Sequence, residues 1–385
     1  YVLADIRPRE IYLAARRALN LALVVDRSTS MQGPRIHHVK MAANDLIESL
    51  QPTDRLALVT FSDRAEVIIP SSPVEETRSF RSAIASITAE GGTEIYQGLS
   101  AGIGQVRPYV APQTISHVIL LTDGRTYGDE EVALITARRA EAEGIGISAL
   151  GIGEDWHDAF LDNLARSGGG TSDYIDAPAK IRRVLQAQIR GLASLALKRV
   201  RFRANMAPYV RMEAAYRVAP YMEILEVDSG NVVETGNLLS GEASSLALEF
   251  TVKHTSPGKR RLARFSIEGD DIGSDNRLEV WRDLNVTFTE NPSHETVPPR
   301  MFTVLARLSI FRLQERAWTA LESGDRNGAS RYLESAATQL FDLGYRELGQ
   351  AAMLEVDRLA HGAGPTGGGR KKLRYGTRAL SLPSV

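Results

Sequence analysis

Three oxygen-bearing side chains at alternate positions, Asp26, Ser28 and Ser30, stand directly after the apolar run Leu19 to Val25. Short carboxylate and hydroxyl side chains spaced in this way can converge on one small ion where a chain turns from strand into helix. Taken alone, the triplet also fits a strand end whose Asp and Ser cap the following helix. Two further elements add to it. Gly91, Gly92 and Thr93 precede one helix, and Leu120, Leu121, Thr122, Asp123 and Gly124 end a later buried strand. In a doubly wound α/β sheet, ligands bind beyond the carboxyl ends of the strands where the winding direction reverses. If the strands ending at Asp26 and Asp123 are neighbours across that point, their loops and the loop of Thr93 meet over one crevice that a divalent cation would fill.

These residues make the stretch from about Leu19 to Leu195 similar to the von Willebrand factor type A domain, and five positions match its metal-ion-dependent adhesion site. Phe61, Ser62 and the Gly168 to Gly170 turn extend the likeness. The resemblance implies that Asp26, Ser28, Ser30, Thr93 and Asp123 hold the metal, Thr93 and Asp123 directly or through water. It implies a bacterial multidomain protein whose last type A helix shifts on ligand engagement. Thr29 stands where many members have Gly, which bears on the turn and not on the ligands.

The donor chemistry stands beside that likeness. Hydroxyls, carboxylates and water suit Mg²⁺ or Mn²⁺, whereas zinc favours nitrogen and sulfur. With one carboxylate held behind a water, such an ion keeps an exchangeable position, and an Asp or Glu of another protein fits it. A desolvated contact of that kind counts for more than an ion pair at the rim of an interface. The reading is therefore a protein-binding adaptor or scaffold and not an enzyme. The alternatives are an accessory, substrate-presenting subunit of an ATP-driven remodelling complex, or a Mg²⁺-dependent hydrolase. For hydrolysis no companion base is evident: His37 and His38 fall on the first helix and His117 begins a strand. The Asp26, Arg27, Ser28 run lacks the second Asp of a phosphatase-type motif, and no Gly-x-Ser-x-Gly elbow or phosphate-cradling Gly-Lys-Ser/Thr loop is present.

The elements that must position these residues follow from periodicity. From residue 19 to 195, β-branched runs alternate with amphipathic helices, the pattern of a sheet covered on both faces, so the fold class is a doubly wound (Rossmann-like) α/β domain. Strands are expected at Leu19 to Val25, Leu56 to Phe61, Ala65 to Ile69, Val118 to Leu121, Gly146 to Leu150 and Thr171 to Ile175. Helices are expected after Pro34, from Asp129 to Glu143 and from Ala179 to Leu195. Over 196–292 the period becomes two, which predicts an antiparallel β-sandwich. Residues 1–18 supply a strand, drawn at Glu10 to Ala15, that can join it and leave the α/β domain inserted. Residues 297–361 read as a C-terminal α-helical region of three helices, roughly Met301 to Glu322, Ser330 to Leu343 and Tyr345 to Ala360. Residues 362–385 read as a flexible basic tail. In that tail Thr377, with Leu380 three residues on, is a candidate phosphorylation site for a phosphothreonine-reading partner.

Composition bounds the partners. Lys plus Arg number 46 against 47 Asp plus Glu in 385 residues, so no global field recruits nucleic acid or an acidic membrane. The three Trp are dispersed and make no stacking platform for nucleic acid. Gly269 to Asp275 lacks the ordered ligands and terminal Glu of a calcium loop and reads as a hairpin turn. The absence of cysteine removes disulfides, thiolate metal sites and Cys nucleophiles, and suits a reducing compartment. A cytoplasmic location is the expectation, with the reservation that a chain starting at Tyr1 rather than Met reads as trimmed.

Overall fold

The computed structural model describes residues 1–8, 16–75, 77–126, 128–253, 256–272, 276–290 and 297–381. It divides into two compact units, one of Leu13–Leu195 with Ile272–Ser274, the other of Tyr1–Tyr12, Ala196–Asp271 and Asp275–Val385. The chain opens on β1 (Val2–Ile6). The expected strand at Glu10 to Ala15 lies outside the described residues.

The α/β unit runs β2 (Ala18–Asp26), α1 (Pro34–Ser49), β3 (Arg55–Phe61), β4 (Ala65–Pro73), α2 (Thr77–Ser86), α3 (Ile95–Val106) and β5 (Thr114–Thr122). It continues through α4 (Glu130–Ala142), β6 (Ile145–Ile152), α5 (Asp158–Ser167), β7 (Gly169–Ile175) and α6 (Ile181–Ala193). Strand order is β4-β3-β2-β5-β6-β7, with β3 and β4 antiparallel and the other neighbours parallel. From β2 the winding goes first to β3 on one side and then to β5 on the other, so the topological switch lies at β2. Residues 19–26 of β2 are all buried, as a central parallel strand covered on both faces requires.

Two polar knots hold β2 in place. Asp54, fully buried, accepts from both Arg16 Nη atoms at 3.0 and 2.6 Å, from Leu19 N at 2.9 Å and from Gln51 N at 2.8 Å. Four donors around one carboxylate offset its desolvation and tie the start of β2 to the turn before β3. Asn20 Nδ2 donates to Val106 O at 2.9 Å and Ser116 Oγ at 3.0 Å, linking β2 to α3 and β5. Gly98 and Gly102 stand one turn apart on α3. A Cβ on Gly98 would lie 2.5 Å from the Phe61 ring, and one on Gly102 2.5 Å from Val24 Cγ2. Each glycine costs about 1 kcal/mol of helix propensity, and in return α3 lies flush on the sheet.

The second unit adds β8 (Leu195–Met206), β9 (Val210–Ala219), β10 (Glu223–Leu225), β11 (Val232–Leu239), β12 (Ser244–Val252), β13 (Gly258–Asp271) and β14 (Arg277–Phe288). The helices are α7 (Pro299–Glu322), α8 (Arg326–Asp342), α9 (Arg346–Ala360) and α10 (Gly367–Arg378). Two four-stranded sheets form, β1-β12-β9-β10 and β11-β8-β13-β14. Ile6, Ala215, Leu246 and Leu248 of the first share a core with Val200, Phe202, Ala204 and Val233 of the second. β1 pairs antiparallel with β12 from Val2↔Leu248 to Ile6↔Ser244, so the α/β segment is inserted between strands of these sheets. A separate core joins Tyr216, Val218 and Ala247 to Val304, Leu308 and Phe311 of α7. β10 and β11, too short or too interrupted for clear alternation, were not expected.

The expected flexible tail is corrected. Thr366 caps α10 by accepting from Gly369 N at 2.8 Å, while its own N and Oγ1 donate to the buried Glu355 carboxylate at 2.8 and 2.7 Å. Leu373 joins the core of Ala317, Trp318 and Leu333, and Met222 N donates to Arg378 O at 2.9 Å. Four glycines within α10 suggest a tether when composition alone is weighed, yet tertiary contacts override propensity. Thr377 is corrected with it: its hydroxyl is buried and donates to Gln314 Oε1 at 2.7 Å, so no kinase reaches it in the folded chain. Thr377→Val should lower stability by about 1–2 kcal/mol through the unpaired Gln314. Thr377→Glu, a charge buried without a partner, should cost about 3 kcal/mol or more. Denaturant unfolding of both variants checks this, and a Glu variant as stable as wild type would mean that α10 is not docked.

Candidate metal centre

β2 and β5 lie side by side and parallel with Val25 opposite Leu121, which carries Asp26 and Asp123 to the same end of the sheet. Both carboxylates are fully buried. Asp26 Oδ1 accepts from Ser28 N at 2.8 Å and Oδ2 from Thr122 Oγ1 at 2.6 Å. Ser28 Oγ lies 3.0 Å from Ser30 Oγ, and Ser30 Oγ donates to Asp123 Oδ1 at 2.7 Å. Thr93 reaches the same place over Gly124, where a Cβ would stand 2.9 Å from Thr93 Oγ1. All five expected residues are thus drawn together by three loops.

The loop of Thr93 is pinned on both sides. Thr29 N and Oγ1 donate to Gly91 O at 3.0 and 3.1 Å, and Glu90 N donates to Arg27 O at 2.6 Å. Gly92 N donates to Asp63 Oδ1 at 3.0 Å and Glu94 N to Ser62 O at 2.9 Å. Gly91 takes φ +84°, a left-handed conformation, within a space that a Cβ could not enter: it would sit 2.9 Å from Ser62 Oγ. Thr29 at a position where Gly is common therefore does not disturb the turn; its hydroxyl adds a tie between two of the loops. Asp129, expected in the first turn of its own helix, sits at the N-cap of α4 and turns its side chain to α3, accepting from Tyr96 N at 2.8 Å.

Two contributors escaped the sequence reading. Thr122 supports Asp26 from the strand next door, legible only once β2 and β5 are known to be adjacent. Arg35 Nη1 donates to Asp123 Oδ2 and, at 3.1 Å, to Ser30 O. The signal for Arg35 was a cation in the first turn of a helix, where the macrodipole disfavours it. The histidines serve elsewhere: His117 Nε2 lies 2.9 Å from Ser148 Oγ within the sheet, and His37 and His38 pack edge to face on α1.

The donor set fits a hard divalent cation. It consists of two buried carboxylates and three hydroxyls, and among the described residues no group of three or more His, Cys, Asp and Glu offers a softer alternative. Burial pushes the Asp26 carboxyl up to about 6, hydrogen bonds from Ser28 and Thr122 work against that rise, and the Asp123 charge adds to it. A carboxylate held in this condition is one that a cation relieves.

The profile of the von Willebrand factor type A domain matches residues 20–184, and that of the Sll0103-like C-terminal α-helical domain matches residues 299–383. Residues 20–184 are a von Willebrand factor type A domain within a multidomain chain. Protein sll0103 of Synechocystis sp., described as uncharacterized, is 28% identical over 376 residues, 96% of this chain and 89% of its own length. YfbK of Escherichia coli is 25% identical over 290 residues, 73% of this chain but 50% of its own length. A solved von Willebrand factor type A protein from Catenulispora acidiphila shares the fold with TM-score 0.76 and 19% identity, covering 96% of this chain and 91% of that one. The α-helical profile includes α10, in line with its docked state. Among the described residues, no helix is long and apolar enough to cross a membrane.

The Asp26 shift sets a pH dependence for the type A unit. A carboxyl raised in the folded state favours folding fully below its unfolded value near 4, and that contribution is lost as pH climbs through about 6. In chelator, Asp26→Asn, which mimics the protonated acid, should gain stability over wild type by up to about 3 kcal/mol at pH 8 and little at pH 4. Denaturant unfolding at the two pH values measures the difference, and equal gaps would contradict the assignment.

Proposed function

We propose that this chain binds partner proteins through a divalent cation, Mg²⁺ in the first place and Mn²⁺ equivalently, held by Asp26, Ser28, Ser30, Thr93 and Asp123. The observation that carries the reading is the convergence of two buried carboxylates and three hydroxyls at the carboxyl end of β2 and β5. Asp26 and Asp123 supply charge, Ser28 and Ser30 supply hydroxyl oxygens from one turn, and Thr93 closes the set from the loop before α3. When bound, the cation supplies an electron-poor centre with an exchangeable position for a partner's Asp or Glu. Thr122 holds Asp26 in place and Thr29 fastens the two loops, so the donors need little rearrangement. We read the function as adaptor or scaffold binding without catalysis: among the described residues no general base is hydrogen-bonded to the donor set, and His117 bonds Ser148 within the sheet while His37 and His38 pack on each other. The absence of cysteine and of a membrane-spanning helix among the described residues supports a place in the cytoplasm.

Calorimetric titration with Mn²⁺ tests the centre. One ion per chain is expected, with affinity reduced at least about 100-fold by Asp26→Asn or Asp123→Asn, since each removes a charge from a two-carboxylate site. Unchanged affinity in both variants would end the proposal. For partner binding, proteins captured in Mg²⁺ should be released by chelator and should fail to bind the Asp123→Asn chain; capture that survives both treatments removes the carboxylate mechanism.

A further inference from the structure

Arg35 is placed against the ordinary rules of helix design. It is the second residue of α1, directly after Pro34, and no acidic residue accompanies it in the first turn. A cation there faces the positive end of the helix dipole. Its guanidinium folds over the helix start instead: Nη1 donates to Asp123 Oδ2 and to Ser30 O, and Nη2 stands 4.0 Å from Asp155 Oδ2. The seat is shaped for it on the β6 side, because a Cβ on Gly153 would come within 2.9 Å of Nη2. Asp123 is fully buried while the Arg35 side chain is 27% exposed, so the guanidinium lies between the carboxylate and solvent.

Both oxygens of Asp123 are therefore engaged, Oδ1 by the Ser30 hydroxyl and Oδ2 by Arg35. A hydroxyl can turn its lone pairs to a cation and remain as a ligand, but a guanidinium has no lone pair to offer and keeps its charge at any physiological pH. We propose that Arg35 is a tethered competitor of the metal: guanidinium and divalent cation contend for Asp123, and Arg35 thereby sets the metal concentration at which the site loads. This inference rests on the metal-binding reading above. It assigns Arg35 the role of an affinity-setting residue and not of a ligand. A purely structural clamp would act with the opposite sign, since loss of its bonds to Asp123 and Ser30 would loosen the donor set and weaken binding.

The test is titration of the full chain with Mn²⁺ alone, followed by calorimetry and by the electron paramagnetic signal of free Mn²⁺. Arg35→Gln should bind Mn²⁺ at least about tenfold more tightly than wild type, because a unit charge a few ångströms from a divalent ion in a partly buried site is removed. Arg125→Gln removes a charge whose Nε donates to Asp155 O at 3.0 Å, without the Asp123 contact, and should stay within about twofold of wild type. Arg35→Lys, with one compact donor group in place of a fork, should fall between the two and serves as the readout if the Gln variant does not fold. Equal or weaker Mn²⁺ binding by Arg35→Gln, or equal tightening by Arg125→Gln, overturns the inference and leaves the metal site standing. Binding by Arg35→Gln but not by wild type would support it at its strongest, and binding by neither would overturn both this inference and the site.

Discussion

The constraint on which the rest depends is the burial of two like-charged side chains at the ends of adjacent parallel strands. Asp26 and Asp123 are both fully inaccessible, and the pairing of β2 with β5 leaves them no distance to retreat. Taking two carboxylates out of water is costly unless hydrogen bonds and positive charge compensate. The surroundings are arranged around that need. Thr122, Ser28 and Ser30 supply donors, Arg35 supplies charge, and Asp26 still retains a proton up to about pH 6. Such a concentration of unfavourable electrostatics at one sheet end is characteristic of sites kept for binding.

What keeps those groups in register is built below them. Asp54 anchors the beginning of β2, Asn20 ties it to α3 and β5, and the glycines of α3 let that helix lie close enough to bring Thr93 over Gly124. None of these residues belongs to the donor set, yet each fixes an element from which a donor projects. Donors projecting from three loops can act together only if the loops are mutually fastened: Thr29 to Gly91 and Glu90 to Arg27 tie two of them, and Ser30 to Asp123 ties the third.

The donor set was legible in the sequence only in part from local spacing: Asp26, Ser28 and Ser30 belong to one turn and Asp123 ends an apolar strand, while the assembly of these with Thr93 into one set came from the resemblance to the type A domain. The four inner strands of the α/β sheet, β2, β3, β5 and β6, were legible because strands covered on both faces read as continuous apolar runs, whereas the edge strands β4 and β7 are only partly buried and were drawn from their flanking turn residues. Thr122 and Arg35 were not, because their roles depend on which strands are neighbours and on the path of a long side chain. The C-terminal segment was misread for a different reason. Its glycines and basic residues carry a composition typical of a tether, whereas the groups that hold it lie on preceding helices, Glu355 on α9 and Gln314 and Trp318 far upstream on α7. β10 escaped because a three-residue strand takes its stability from neighbours and not from its own pattern, and β11 because Gly236 interrupts its alternation.

A cation of this kind would accept any accessible carboxylate, so discrimination among partners must come from what surrounds it. Asp63, Glu90, Glu94 and Asp155 are all exposed, and each is bonded to, or adjacent in sequence to, a residue of the Thr93 loop or the Arg35 seat. Arg27, on the turn after β2, already pairs with Glu90 at 2.7 Å and lies 3.9 Å from Glu66. An acidic side chain approaching this rim meets repulsion from several carboxylates before it meets attraction. Repulsion of that sort suppresses encounters that the central contact cannot repay. Under the proposed mechanism the same rim would make binding depend steeply on the cation, because Arg27 and Arg35 are already paired with carboxylates and the metal would supply the positive charge that a partner's carboxylate needs.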